Sequence, residues 1–209
     1  LYKYQYFNMI NIKPFKGTQG AGFTLESLLG IRRNSNQKGG DYRGIEIKSF
    51  KKPFNKESSK NEYSKITLIT TESDLGEIIT FTRKDFIEKY GWQGKTDPNK
   101  LVFNGTFYAD KPQKRGYILR INGYDKIKNH FYYKPFIGFY SLNDNNFLEG
   151  WSFDKLLDKW IEKHSEAIYV EYEFNKVTNE YLFTGRCHYG LGTGLDKFFQ
   201  CLSSGLIFL

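Results

Sequence analysis

Cysteine is scarce in this chain. Its two residues among 209, Cys187 and Cys201, make neither a disulfide framework nor a zinc-ligand pattern, which points to a reducing cytoplasm. No apolar run approaches the length of a membrane span, and no signal peptide opens the chain. Neither a helical membrane protein nor a secreted precursor is therefore expected. The first residue is Leu rather than Met, so some N-terminal residues are expected to be missing or removed. No internal repeat or low-complexity segment breaks the sequence. Histidine is limited to three positions. His188 sits between glycines, where a base or phosphate contact and a plain structural place are both open to it. His130 and His164 read as surface positions.

What the chain has is positive charge and aromatic rings. Lys and Arg number 31 against 23 Asp and Glu, a net charge of +8. That balance suits a polyanionic partner, nucleic acid before an acidic membrane surface. With 39% apolar and 18% aromatic residues, the chain is expected to form one domain, residues 1–209, around a substantial core.

Residues 1–15 read as an irregular or partly helical lead-in, and Gly17–Gly22 as a flexible turn. Leu25, Leu28 and Leu29 mark a short amphipathic helix stopped at Gly30, with Thr24 as its cap unless the helix starts earlier. Ile66–Thr71 and Glu77–Phe81 have strand composition. Thr82–Gly91 reads as a helix with a threonine cap and a glycine stop. Leu101–Tyr108 reads as a hairpin turning on Asn104-Gly105. Tyr117–Ile121 is a strand ended by Asn122-Gly123, and Phe136–Tyr140 another. Phe153, Leu156, Leu157, Trp160 and Ile161 recur at helical spacing behind a Ser152 cap and form a core stripe. Ala167–Phe174 alternates as a strand. Gly194–Ser204 is a helix, followed by an apolar tail, Leu206–Leu209, suited to a sheet edge. This order predicts an α/β or α+β fold with a mixed central sheet.

The chemistry concentrates in Gly39–Ser49. Ile45 and Ile47 alternate with Glu46 and Lys48, so a strand puts the isoleucines on one face and the charged pair on the other. Asp41 lies just upstream, after two glycines that permit a tight turn. Two carboxylates and a lysine on one spot suit a magnesium-dependent phosphodiesterase, with the carboxylates holding a hard cation and the lysine serving water or phosphate. A solvated strand is the plain alternative. Arg32, Arg33, Lys38, Arg43, Lys51 and Lys52 flank the stretch and are candidate phosphate contacts, with a solvated surface equally open to each.

A Gly-x-x-Gly turn, a helix carrying Leu25-Glu26-Ser27-Leu28-Leu29, a polar loop, then Asp41-x4-Glu46-x-Lys48 on a strand resembles the type II restriction endonucleases of the MvaI/BcnI family. The arrangement is also similar to the mismatch-repair nicking endonuclease MutH. The resemblance implies a restriction-endonuclease-like, MutH-like fold. Residues about 15–90 would form its catalytic part, and the later elements would complete the core and DNA cleft. It implies Mg²⁺ held by Asp41, Glu46 and the Ile47 carbonyl, with Glu26 auxiliary and Lys48 serving the attacking water. It implies 5′-phosphate and 3′-hydroxyl products, a monomer acting on double-stranded DNA, and a cognate DNA methyltransferase in the same bacterial cytoplasm. Ile66–Thr70 looks like the strand after the catalytic one, and Trp151–Leu156 like the opening of a later helix. Gly185–Gly190 looks like a late loop from which Arg186 and His188 would reach DNA. The chain is shorter than the family members it resembles, so it is expected to be trimmed or to lack residues at an end. A repair nickase, a non-catalytic DNA-binding module and an RNA-binding protein remain as alternatives.

Overall fold

The computed structural model describes residues 15, 17, 19–31, 41–52 and 66–209. In chain order they form α1 (Gly20–Leu28), β1 (Glu46–Lys51), a 3-10 turn (Glu77–Thr80), α2 (Arg83–Tyr90), β2 (Trp92–Gln93) and β3 (Leu101–Val102). There follow β4 (Tyr117–Asp125), β5 (His130–Ser141), β6 (Phe147–Ser152), α3 (Phe153–His164), β7 (Glu166–Asn175), β8 (Glu180–Leu191) and α4 (Leu195–Ser203). The fold is mixed α and β. It divides into two compact units, Leu1–Leu68 with Glu162–Gly192, and Ile69–Ile161 with Thr193–Leu209. Nearly all of the expected lead-in, the Gly39-Gly40 turn and residues 53–65 lie outside the described residues.

The first unit is built on a mixed sheet in the order β1-β7-β8. β1 runs parallel to β7, with Glu46 beside Ala167, Lys48 beside Tyr169 and Phe50 beside Glu171. A parallel pair needs a long crossover, and the chain between residues 52 and 165 supplies it. β8 returns antiparallel and sets His188 beside Tyr169. The Gly185–Gly190 stretch, expected as a loop, is therefore part of a strand. Gly185 falls where the register shifts between Val170 and Tyr172, a bulge that keeps the ladder going, and Gly190 pairs in register with Ala167.

Helix α1 packs on β1. It begins at Gly20, inside the stretch expected to be a flexible turn. A Cβ at Gly20 would lie 2.2 Å from the Phe15 carbonyl oxygen and 2.5 Å from the Tyr181 hydroxyl, so only glycine fits there. Thr24 is consequently mid-helix rather than a cap. Its hydroxyl donates to the Gly20 carbonyl at 2.7 Å.

The second unit is organised around an antiparallel sheet, β4-β5-β6. Phe86, Leu119, Ile137, Leu148, Phe198, Phe199 and Leu202 are fully buried in it. Phe103 gathers rings around itself, with centroids of Phe86 and Trp92 both 5.2 Å away and Tyr117 at 5.5 Å. Helix α2 starts as its sequence dictates: the Thr82 hydroxyl oxygen accepts from the Asp85 amide at 3.2 Å, and Gly91 follows the last turn. Ser152 likewise caps α3, accepting from the Lys155 amide at 3.3 Å while its own amide donates to Asp74 at 2.9 Å.

Four expected β elements turn out differently. Ile66–Thr71 joins no ladder, and side chains meet its backbone instead. The Trp151 indole donates to the Thr71 carbonyl at 3.0 Å. Glu77–Phe81 yields a 3-10 turn in which Glu77 takes the Tyr90 hydroxyl and pairs with Lys89 at 3.1 Å. The Leu101–Tyr108 hairpin does not form, because Phe103 and Phe107 turn into the aromatic core. Only Leu101–Val102 pairs, and with β2. The tail is no strand either, although Phe107 and Leu209 exchange main-chain hydrogen bonds of 2.6 and 3.0 Å. Asn122-Gly123 does not end β4. The strand passes through a bulge there, with Gly123 at φ +71°, and turns only after Asp125.

Candidate active site

The geometry starts with two residues that bend the chain back. Arg43 and Gly44 have φ of 52° and 89°, the pair of positive angles that defines a type I′ turn. Tyr42 and Ile45 close it with main-chain hydrogen bonds of 3.0 and 2.9 Å. The turn folds Asp41 over the start of β1, where its Oδ2 accepts the Ile47 amide hydrogen at 3.0 Å. Asp41, five positions before Glu46 in sequence, is thereby hydrogen-bonded to the residue that follows Glu46.

Glu46 is 3% exposed, and each of its carboxylate oxygens is met by a lysine. Lys48 Nζ lies 2.7 Å from Oε1, and Lys163 Nζ 3.0 Å from Oε2. Burying a lone carboxylate is costly, and two ammonium partners offset that cost. The expected split into an apolar face and a charged face does not hold: β1 is buried on both sides, by Ile47 on one face and by Glu46 and Phe50 on the other, while Ile45 is only half-buried.

His164, expected at the surface, is 3% exposed and belongs to this cluster. Its Nε2 lies 3.0 Å from the Leu68 carbonyl oxygen and its Nδ1 3.3 Å from the Tyr169 hydroxyl. A carbonyl accepts only, so Nε2 carries the hydrogen and Nδ1 accepts from Tyr169. Burial first, with the nearby Lys48 charge adding to it, pushes the imidazole pKa down and favours the neutral ring. Burial and then the Glu46 charge push the Tyr169 phenol up, which keeps its donor hydrogen in place. His164 thus pins the last turn of α3 to β7 and brings Lys163 to Glu46.

Lys48, Tyr169 and His188 form one row across three strands, on one face of the sheet. The His188 ring packs 5.7 Å from that of Phe50 in the neighbouring row. Beside it, Glu171 is buried, accepts from the Thr184 hydroxyl at 2.9 Å and lies 3.8 Å from Arg186 Nη1. Lys52 is ion-paired with Glu173, whose carboxylate raises the lysine pKa by hydrogen bonding and charge. Arg43 lies over the Tyr42 ring at 5.5 Å, and Lys51 is exposed. Glu26 lies half-buried on α1, the helix that packs on β1. Arg32, Arg33 and Lys38 fall outside the described residues.

The structure brings the expected Asp41, Glu46 and Lys48 together, and it adds Lys163, His164, Tyr169 and Glu171, which the sequence did not single out. Lys163 follows Glu46 by 117 residues and is one lysine among many, so no local pattern marks it. Among the described residues, no three His, Cys, Asp or Glu side chains gather closely enough to hold a metal by themselves. Asp41, Glu46 and the adjoining main-chain carbonyl are nonetheless hard oxygen donors, the chemistry a magnesium ion requires. As a donor set these oxygens fit such an ion.

Comparison with known proteins bears on this geometry. The model of the MvaI/BcnI restriction endonuclease family matches residues 7–209. The fold is similar to that of the restriction endonuclease MvaI in complex with its cognate DNA substrate. That match has a TM-score of 0.63 and 17% identity, and spans 90% of this chain and 71% of the other. MvaI in the absence of DNA matches over the same shares at 15% identity, with a TM-score of 0.43. No curated protein matches the chain. The fold is thus restriction-endonuclease-like, as expected from the sequence.

Proposed function

The chain belongs to the MvaI/BcnI restriction endonuclease family and is a type II restriction endonuclease acting on DNA, and on that premise we propose a magnesium-dependent hydrolysis carried by Asp41, Glu46 and Lys48. The observation that carries this reading is the Asp41–Ile47 hydrogen bond, which sets a second carboxylate beside the buried Glu46–Lys48 pair. Asp41, Glu46 and the Ile47 carbonyl would hold Mg²⁺, and Glu26 would support them from α1. The bound ion supplies charge for the phosphate and acidity for a water. Lys48 would orient the attacking water toward phosphorus. A bond from the water oxygen to phosphorus would form while the bond to the 3′ oxygen breaks; the water would give up a proton to solvent and the 3′ oxygen would take one from it, leaving a 5′-phosphate and a 3′-hydroxyl. The phosphate-contact candidates are Arg32, Arg33, Lys38, Arg43, Lys51 and Lys52, joined by Arg186 and His188 on β8. The pairing of Lys52 with Glu173 and of Arg186 with Glu171 means that those two would exchange a carboxylate for a phosphate.

The chain works on this reading as a single endonuclease domain and a monomer in a bacterial cytoplasm, beside a methyltransferase that protects the same short sequence. No helix among the described residues is long and apolar enough to cross a membrane. Incubation with plasmid DNA, with Mg²⁺ or with EDTA, tests the proposal. Discrete linear fragments with Mg²⁺ alone are expected, and nicked circles would identify a nickase instead. Asp41→Ala and Glu46→Ala should abolish cleavage while retaining DNA binding. Normal cleavage by purified Asp41→Ala would sink the assignment.

A further inference from the structure

Glu46 is committed twice in this fold. Lys48 occupies Oε1 at 2.7 Å, from the same strand. Lys163 occupies Oε2 at 3.0 Å, from the last turn of α3. The second contact is held from behind. His164, the next residue, is locked between the Leu68 carbonyl and the Tyr169 hydroxyl, so the helix end that carries Lys163 has a fixed seat. Lys163 is itself only one quarter exposed. This is not a solvated surface pair, in which two long side chains meet by chance and gain little.

Resting on the metal-site reading above, we propose that Lys163 is a positioning residue that acts as an internal counter-ion for Glu46 and competes with the divalent cation for its Oε2 oxygen. A carboxylate this buried needs a positive partner to stay charged and oriented. Lys163 provides that partner before the cation arrives, so the ligand is preformed. The same ammonium then opposes the incoming ion, because two positive charges a few ångströms apart repel strongly where water is sparse. Binding of the cation therefore requires Lys163 to leave Oε2. Lys48, on the other oxygen, has no need to move. The arrangement divides two roles between two lysines that touch one carboxylate. Lys48 serves the reaction, and Lys163 sets how readily the site loads.

Titrating EDTA-stripped protein with Mn²⁺, followed by electron paramagnetic resonance at one pH, tests the proposal without relying on cleavage. Glu46→Gln should lose the tight Mn²⁺ site. Lys163→Gln, which keeps a hydrogen-bond donor but removes the charge, should bind Mn²⁺ about tenfold more tightly than the wild type. A merely structural lysine would move the affinity the other way. Equal or weaker binding by Lys163→Gln, with binding lost in Glu46→Gln, overturns the role of Lys163 and leaves the metal site standing. Unchanged binding in Glu46→Gln overturns the metal-site reading and this inference with it. Amine-labelling mass spectrometry on the wild-type protein needs no variant and covers the case in which Lys163→Gln fails to fold. Lys163 should label faster with Mn²⁺ than without it, and an unchanged rate refutes the displacement.

Discussion

The two units bury different things. In the second, seven large apolar side chains are fully enclosed, among them Phe86, Phe198 and Phe199. Among the described residues of the first, none of the large side chains reaches that state, and the buried set includes Glu46, Glu171 and His164. Apolar burial stabilises roughly in proportion to area, whereas buried charges at best recover their desolvation cost. The second unit is built like a scaffold. The first accepts poor energetics to hold ionised groups in fixed positions, which is the arrangement expected of a site that does chemistry.

Substitutions that trade the two characters sharpen this contrast. The largest expected effect on stability is Phe199→Ala, which removes a fully buried ring contacting Tyr124, Phe131 and Phe198. It should destabilise by about 3–5 kcal/mol, read as a lowered denaturant midpoint, with cleavage retained below the new transition. A loss under about 1 kcal/mol would mean that the ring is not packed as described. Arg83→Met probes the one buried carboxylate of the second unit. Glu149 is held by Arg83 at 3.0 Å and by the Ser73 hydroxyl at 2.9 Å. Arg83 is itself more than half exposed, so a loss of about 1–3 kcal/mol is expected rather than the full cost of an orphaned charge. An unchanged melting temperature would show the pair to be ornamental.

The smallest effect is a pH dependence in the first unit. His164 has its folded pKa below the ordinary 6.5 because burial disfavours the charged ring. Between that depressed value and 6.5 the unfolded chain binds a proton that the folded one does not. Stability is therefore full above pH 6.5 and falls as pH drops through this window. The wild-type melting temperature should decline there, and His164→Gln should flatten that part of the curve. An equal slope in both proteins would remove His164 from the account.

Local chemistry explains what was legible beforehand. Thr82 and Gly91 bracket α2, and Ser152 caps α3, because a cap needs only its own next few residues. The Asp41, Glu46 and Lys48 set was readable because all three lie within eight positions of one another. The strands were harder. Ile66–Thr71 and Leu101–Val102 share β composition, yet one finds no partner and the other pairs for two residues. Strand formation depends on a neighbour, and composition does not name it. Gly185–Gly190 misled for the same reason, since β7 was waiting to pair with it.

By itself the sequence determined the strand that carries Glu46 and Lys48, the aspartate in front of it, the family resemblance and the capped helices. These are properties of residues close together in the chain, where periodicity, turn chemistry and caps act directly. Only the tertiary structure decided that Lys163 meets Glu46, that His164 is buried against Tyr169, and that Lys48, Tyr169 and His188 share a row. Those contacts join residues 5 to 140 positions apart, and the sheet register that aligns them is set by backbone hydrogen bonds, which all residues but proline donate alike.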